Sequence, residues 1–129
     1  MAEAKEKDRG DFDIEDRLIN FAVQVIRCAE GLPKSVAANH IAGQMIRCGT
    51  SPAANYGEAQ AAESRSDFLH KMMVCLKELR ETRVWLLMAS RADLLTPTGI
   101  TSLLNENDQL IAIFVKSIKT TKSSGHKPA

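Results

Sequence analysis

Residues 64–96 read SRSDFLHKMMVCLKELRETRVWLLMASRADLLT, a run without Gly or Pro. In it Phe68, Met72, Leu76, Leu79, Val84, Leu86 and Leu87 supply an apolar face. Such residues recurring at steps near three and four line one side of a helix of period 3.6. Ser64 or Ser66 is suited to cap its start. The reading is a helix over 65–93, longer than the roughly 12-residue mean. Thr96-Pro97-Thr98-Gly99 follows as a turn, and a further helix over 99–120 carries Leu103, Leu104, Leu110, Ile111, Phe114, Val115 and Ile118. Thr101, Asn105 and Gln109 leave its first half more polar.

Upstream the same periodicity appears twice more. Ile14, Leu18, Phe21, Ala22, Val25, Ala29 and Leu32 form one stripe, predicting a helix over 12–31 that is capped by Asp11 or Asp13 and ended by Gly31 and Pro33. Ser35 then caps a helix over 35–63 that passes through Ile41, Ala42, Met45 and Ile46. Pro52 lies inside that span. It lacks an amide donor and crowds the carbonyl four residues back, so the helix either kinks or restarts there. We read it as kinked but continuous. No segment shows sustained alternation and no repeat is visible. Four amphipathic helices with short connections predict an all-α, antiparallel up-down-up-down four-helix bundle over 12–120. Residues 1–11 read as a flexible acidic terminus and 121–129 as a disordered basic tail.

Composition is that of an ordinary globular chain: 129 residues, 44% hydrophobic, 26% charged and 5% aromatic. No apolar run approaches the roughly 20 residues of a membrane span. The charged start is unlike a secretory leader, which places the protein in the cytoplasm. The net charge is +1, unevenly spread: residues 1–17 hold seven acids and four bases, whereas 116–129 hold four lysines and no acid. Cys28, Cys48 and Cys75 lie 20 and 27 residues apart, without the spacing of a zinc site, and read as free thiols.

The second helix also carries a polar row, Gln44, Arg47, Ser51, Asn55 and Glu58, at steps of 3, 4, 4 and 3. These share one face if the helix persists through Pro52. Small residues (Gly43, Gly49, Ala53, Ala54, Gly57, Ala59) surround them and permit close approach of another helix. Lys71, Glu78, Glu81, Thr82 and Trp85 form a candidate facing stripe on the third helix, with Arg80 and Arg83 beside it. A hydrogen-bond network that sets register is one role for such a row, and a polar pocket is the other. Only Asp67-x-x-His70 has the acid-x-x-His step that a di-iron bundle needs twice. Phosphate loops, GxSxG elbows and HExxH are absent. No catalytic residue, cofactor or metal is therefore assigned.

The stretch Cys48-Gly49-Thr50-Ser51-Pro52-Ala53-Ala54-Asn55-Tyr56-Gly57-Glu58-Ala59 resembles the signature of the four-helix-bundle family associated with 23S ribosomal RNA intervening sequences. Asp67-Phe68-Leu69-His70-Lys71 and Leu76-Lys77-Glu78-Leu79-Arg80-Glu81-Thr82-Arg83-Val84-Trp85-Leu86 continue the pattern. It departs at Pro52, at Gly57, where a basic residue is common, and at Val84, where Tyr is common. The resemblance implies a homo-oligomeric ring, a pentamer, with no activity known for most members. A related bundle, the accessory variability determinant of diversity-generating retroelements, binds nucleic acid and a reverse transcriptase. Carried onto this chain, the motif positions are Gln44, Arg47, Ser51, Asn55, Glu58, Glu78, Glu81 and Trp85, in a mainly structural role. The expectation is a non-enzymatic oligomeric interaction or scaffold protein, whose partner is a second copy of itself. The alternative is an RNA- or DNA-binding accessory protein in which ring symmetry multiplies Arg27, Arg47, Lys116, Lys119 and Lys122 into a basic surface.

Overall fold

Ser35 and Ser64 each stop a loop and start a helix. The Ser35 hydroxyl accepts from the Ala38 amide at 3.1 Å and the Ser64 hydroxyl from the Asp67 amide at 3.0 Å, satisfying amides that have no intrahelical partner. The computed structural model describes residues 9–124, and side chains from residue 14 onward. Among them lie four helices and no strand: α1 (Arg9–Glu30), α2 (Val36–Gln60), α3 (Arg65–Arg91) and α4 (Pro97–Ser124).

Several boundaries differ from the sequence reading. Helix α1 already includes residues 9–11, which were expected in a flexible terminus; the side chains of Asp11 and Asp13 lie outside the described residues, as do residues 1–8 and 125–129. Helix α2 is continuous through Pro52 but stops at Gln60 rather than 63. There the Ala61 and Ala62 amides turn back to the Glu58 and Ala59 carbonyls, both at 3.1 Å. Helix α3 closes on Asp93, whose φ of 60° reverses the chain. The Leu94 amide then reaches the Ala89 carbonyl at 2.9 Å, a reversal usually given to Gly. Pro97 opens α4, where its missing amide donor costs nothing.

Helix α4 runs four residues past the expected end, so residues 121–124 are helical rather than disordered. A long-range cap explains it. Arg65, at the start of α3, donates from Nη2 to the Thr121 and Lys122 carbonyls at 3.2 and 3.3 Å. These are carbonyls at a helix end, where cationic donors are favoured.

Helices α2 and α3 run in opposite directions, as do α3 and α4, where Arg65 reaches Thr121 and Leu79 meets Asn107. Arg47 of α2 meets Glu78 and Glu81 of α3, whereas Glu58 meets Lys71. Sequential helices pack on one another and α1 packs on α4, closing the square, with α1 and α3 on a diagonal. The buried positions follow heptad spacing: Met45, Cys48, Pro52, Tyr56 and Ala59 on α2; Met72, Cys75, Leu79, Thr82, Leu86 and Ala89 on α3; Leu103, Asn107, Leu110 and Phe114 on α4. That period suits the shallow crossing of helix bundles. Phe21, Val25, Met45, Leu79, Leu86, Leu110 and Phe114 are completely buried at the centre.

Candidate functional site

The heptad phase of α2 that buries Met45, Cys48 and Pro52 turns Gln44, Arg47, Ser51, Asn55 and Glu58 toward the outer seam with α3. Arg47 is the hub. Its Nε and Nη2 donate to Gln44 Oε1 at 3.1 and 3.0 Å, and its Nη1 to Glu78 Oε1 at 3.3 Å; Nη2 also meets Glu81 Oε2. Glu81 Oε2 accepts a second bond from the Trp85 indole at 3.0 Å. The Trp85 ring lies edge-on to His40, centroids 5.6 Å apart. Two smaller pairings continue the seam. Asn55 Nδ2 donates to the Ser51 hydroxyl and carbonyl at 2.9 and 3.1 Å, and Lys71 donates to Glu58 at 2.6 Å.

Electrostatics follow these contacts. The Trp85 indole hydrogen bond, against some desolvation, holds the Glu81 carboxyl below the usual range, and Arg47 adds to the effect. Desolvation opposes the Arg47 charge, but the Glu81 and Glu78 carboxylates raise its pKa. The Glu58 hydrogen bond and charge raise that of Lys71. Arg47 keeps 49% of its side chain exposed, so the network sits in a surface groove rather than in the core. The Arg47 guanidinium, the Trp85 indole and the Lys71 ammonium all donate to members of the seam. Geometry of this kind clamps α2 to α3.

All eight predicted polar-row residues lie on this seam, five in one network and three in the two pairings. Their surroundings differ from the sequence reading in three places. Thr82, expected on the facing stripe, is buried, and its hydroxyl donates to the Glu78 carbonyl at 2.8 Å. Arg83 turns to Asp108 of α4 at 3.1 Å. Val84, expected on the apolar face, is 50% exposed, because the heptad row 79–82–86 passes it by.

The five candidate nucleic-acid contacts do not converge. Arg27 lines a groove with Leu94, Leu95 and Gly99 at the end where α1 finishes. Lys116, Lys119 and Lys122 are exposed toward the opposite end, where Arg65 caps α4. Arg47 is neutralised by Glu78 and Glu81. The five residues therefore do not form one contiguous group on a single protomer.

Sequence reasoning missed Asn107 and Arg65. Asn107 is fully buried, its Nδ2 donating to the Leu79 carbonyl at 3.0 Å while Oδ1 has no partner among the described residues. Its signal was available: it falls in heptad register between Leu103 and Leu110. The Arg65 contact spans most of the α3–α4 hairpin and leaves no local signature. Among the described residues, no group of three or more His, Cys, Asp or Glu is placed to hold a metal ion, and no helix is long and apolar enough to cross a membrane.

The comparisons agree with this architecture. A solved protein of unknown function from the S23 ribosomal protein family of Bacteroides thetaiotaomicron VPI-5482 is similar at 31% identity and a TM-score of 0.77. The match covers 84% of this chain and 97% of that one. No curated protein matches significantly. A sequence model of the family described as 23S rRNA-intervening sequence protein matches residues 10–116. With nearly the whole bundle covered, this chain belongs to the 23S rRNA-intervening sequence protein family.

Proposed function

We propose that this protein is a non-enzymatic, self-assembling interaction module that acts as a scaffold in the cytoplasm. One observation carries the reading. The polar residues of the α2–α3 seam bond to one another, while Ile19, Val23, Val84 and Met88 stand exposed on α1 and α3. Exposed apolar side chains grouped on a surface mark places where another surface docks. Three free cysteines accord with a reducing compartment. The expected assembly is a homo-oligomeric ring, a pentamer. Light scattering tests this: a concentration-stable mass several times the 14.2 kDa of one chain is expected. A monomer at all concentrations overturns it.

A second reading, nucleic-acid binding by the assembly, is supported by Lys116, Lys119 and Lys122. All three are exposed near one end of α4 and form no ion pair among the described residues. Three phosphate contacts per protomer predict that log affinity falls with log salt at a slope of about −2 to −3. A mixed short RNA and DNA pool at low salt supplies the test; no mass shift rejects this reading and leaves the scaffold.

A further inference from the structure

Of the packed helix pairs, α1 and α4 touch least. Arg17 ties them together through Glu106 and Gln109. Beyond that tie, toward the end of α1 and the start of α4, they part around a groove of about 410 Å³. Steps of three and four put Gln24, Arg27, Cys28 and Gly31 on the face of α1 that borders it. Ser102 and Leu103 border it from α4, and the turn carrying Leu94, Leu95 and Thr96 closes one end.

The polar groups of this groove differ from those of the α2–α3 seam, which bond to one another. Here the side chains of Gln24, Arg27, Thr96 and Ser102 form no hydrogen bond or ion pair among the described residues. All four carry donors, and Arg27 is the one charged residue of the lining. The α1 carbonyls beside them are already used. Those of Arg27 and Cys28 accept from the Gly31 amide at 3.2 and 3.1 Å, and that of Ala29 from the Leu32 amide at 3.2 Å. The surroundings thus offer open donors, a positive charge and no acid. These four polar residues are exposed and form the rim. The floor is apolar: Leu94, Leu95 and Cys28 are half-buried and Leu103 is buried.

A groove of this volume, apolar with a few convergent polar groups, has the form of small-molecule sites. A cationic, donor-rich rim over an apolar floor selects a ligand with an anionic head and an apolar tail. We propose that the groove binds a small soluble amphiphile of that class, a medium-chain carboxylate. Its head pairs with Arg27 and Ser102, and its tail lies over Leu94, Leu95 and Leu103. A guanidinium meets a carboxylate through charge-assisted, paired hydrogen bonds, and the tail gains by leaving water. The site shares no residue with the Arg47 network and does not depend on self-assembly.

Cys28 reports on the groove, since an occupant slows its reaction with an uncharged maleimide. Octanoate is expected to protect Cys28 saturably, with half-protection at about 1 mM or below. Hexanoate, two methylenes shorter, is expected to bind up to about fifteen-fold more weakly. Octanol, which lacks the charge, is expected to bind at least about ten-fold more weakly. Arg27→Gln is expected to remove that advantage of octanoate over octanol, and Arg27→Lys to return part of it. Ser102→Trp, which fills the groove from an exposed position, is expected to abolish octanoate binding in calorimetry. Circular dichroism confirms that each variant folds. Absence of saturable protection by octanoate, equal protection by octanol, or unchanged octanoate binding in folded Arg27→Gln each overturns the proposal. A Cys28 that does not label in the folded parent overturns it too, because the groove is then covered. Protection by phosphatidylglycerol vesicles but not by octanoate would put a membrane lipid there and overturn the soluble ligand.

Discussion

Gly49 of α2 lies so close to Val25 of α1 that a Cβ at position 49 would come within 2.7 Å of Val25 Cγ1. No real pair of carbons sits at that distance, and Val25 is completely buried with no room to turn. Gly49→Ala must therefore push α1 from α2. The overpacking cost is about 1–3 kcal/mol, set against a helix-propensity gain of up to about 1 kcal/mol. A net loss in urea-unfolding stability is expected. Gly43→Ala and Gly57→Ala, where a Cβ meets nothing within 4 Å, are expected to gain about 0.5–1 kcal/mol. Equal behaviour of the three variants would show that the α1–α2 contact is not the constraint.

Asn107 takes an otherwise apolar place in the α4 core row, and its Oδ1 has no partner among the described residues. Removing an orphaned buried acceptor and its modest hydrogen bond together is neutral to favourable when an apolar group of similar volume takes the site. Asn107→Leu is expected to hold or raise stability by about 1 kcal/mol. Asn107→Asp puts an unpaired charge in the same place and is expected to cost about 3 kcal/mol or more. Paired denaturant curves decide it. A strongly destabilised Asn107→Leu would mean that the bond to the Leu79 carbonyl outweighs the stranded oxygen.

The seam and the caps were legible because both depend on short spacings. Steps of three and four put Gln44, Arg47, Ser51, Asn55 and Glu58 on one face whatever they touch, and Ser35 and Ser64 need only the amide three residues on. Misplacement began where heptad phase outranked side-chain polarity. Leu79 and Leu86 fix the phase of α3, so the intervening core position falls to Thr82 and Val84 faces water, the reverse of what their hydrophobicity suggests. Asn107 is buried for the same reason. The extension of α4 to Ser124 depends on Arg65, 56 residues from Thr121, and no local pattern encodes it. The basic residues were grouped by charge alone, and charge carries no information about which end of a bundle a residue occupies.

The Trp85 indole and Arg47 lower the titration of Glu81 in the folded state. A carboxyl shifted that way contributes stability in full above its ordinary value of 4.5, and the contribution is lost as pH falls through the lowered folded value. Trp85→Phe keeps the ring and removes the donor. The Glu81 carboxyl is then expected to titrate higher in a carbon-13 NMR titration, and the acid unfolding midpoint to move to higher pH. An unchanged Glu81 titration in a folded Trp85→Phe variant would mean that the cations Arg47 and Lys77 set the shift.

Burial, not reactivity, governs the three thiols. Desolvation pushes Cys75 up to about 12, where its thiol donates to the Pro52 carbonyl at 3.5 Å, and raises Cys48 and Cys28 as well. Since the thiolate is the reacting species, all three are slow at neutral pH. Access then ranks them: Cys48 and Cys75 are buried, whereas Cys28 is half-buried beside the groove lined by Leu94, Leu95 and Gly99. Titration of the native protein with a thiol-specific disulfide reagent at pH 8 is expected to label Cys28 first, with Cys48 and Cys75 reacting only at the rate of unfolding. Cys28→Ser is expected to abolish the early phase. Early labelling of Cys75 would show that the α2–α3 seam opens locally without global unfolding, and that the Arg47 network clamps the two helices less firmly than its geometry implies.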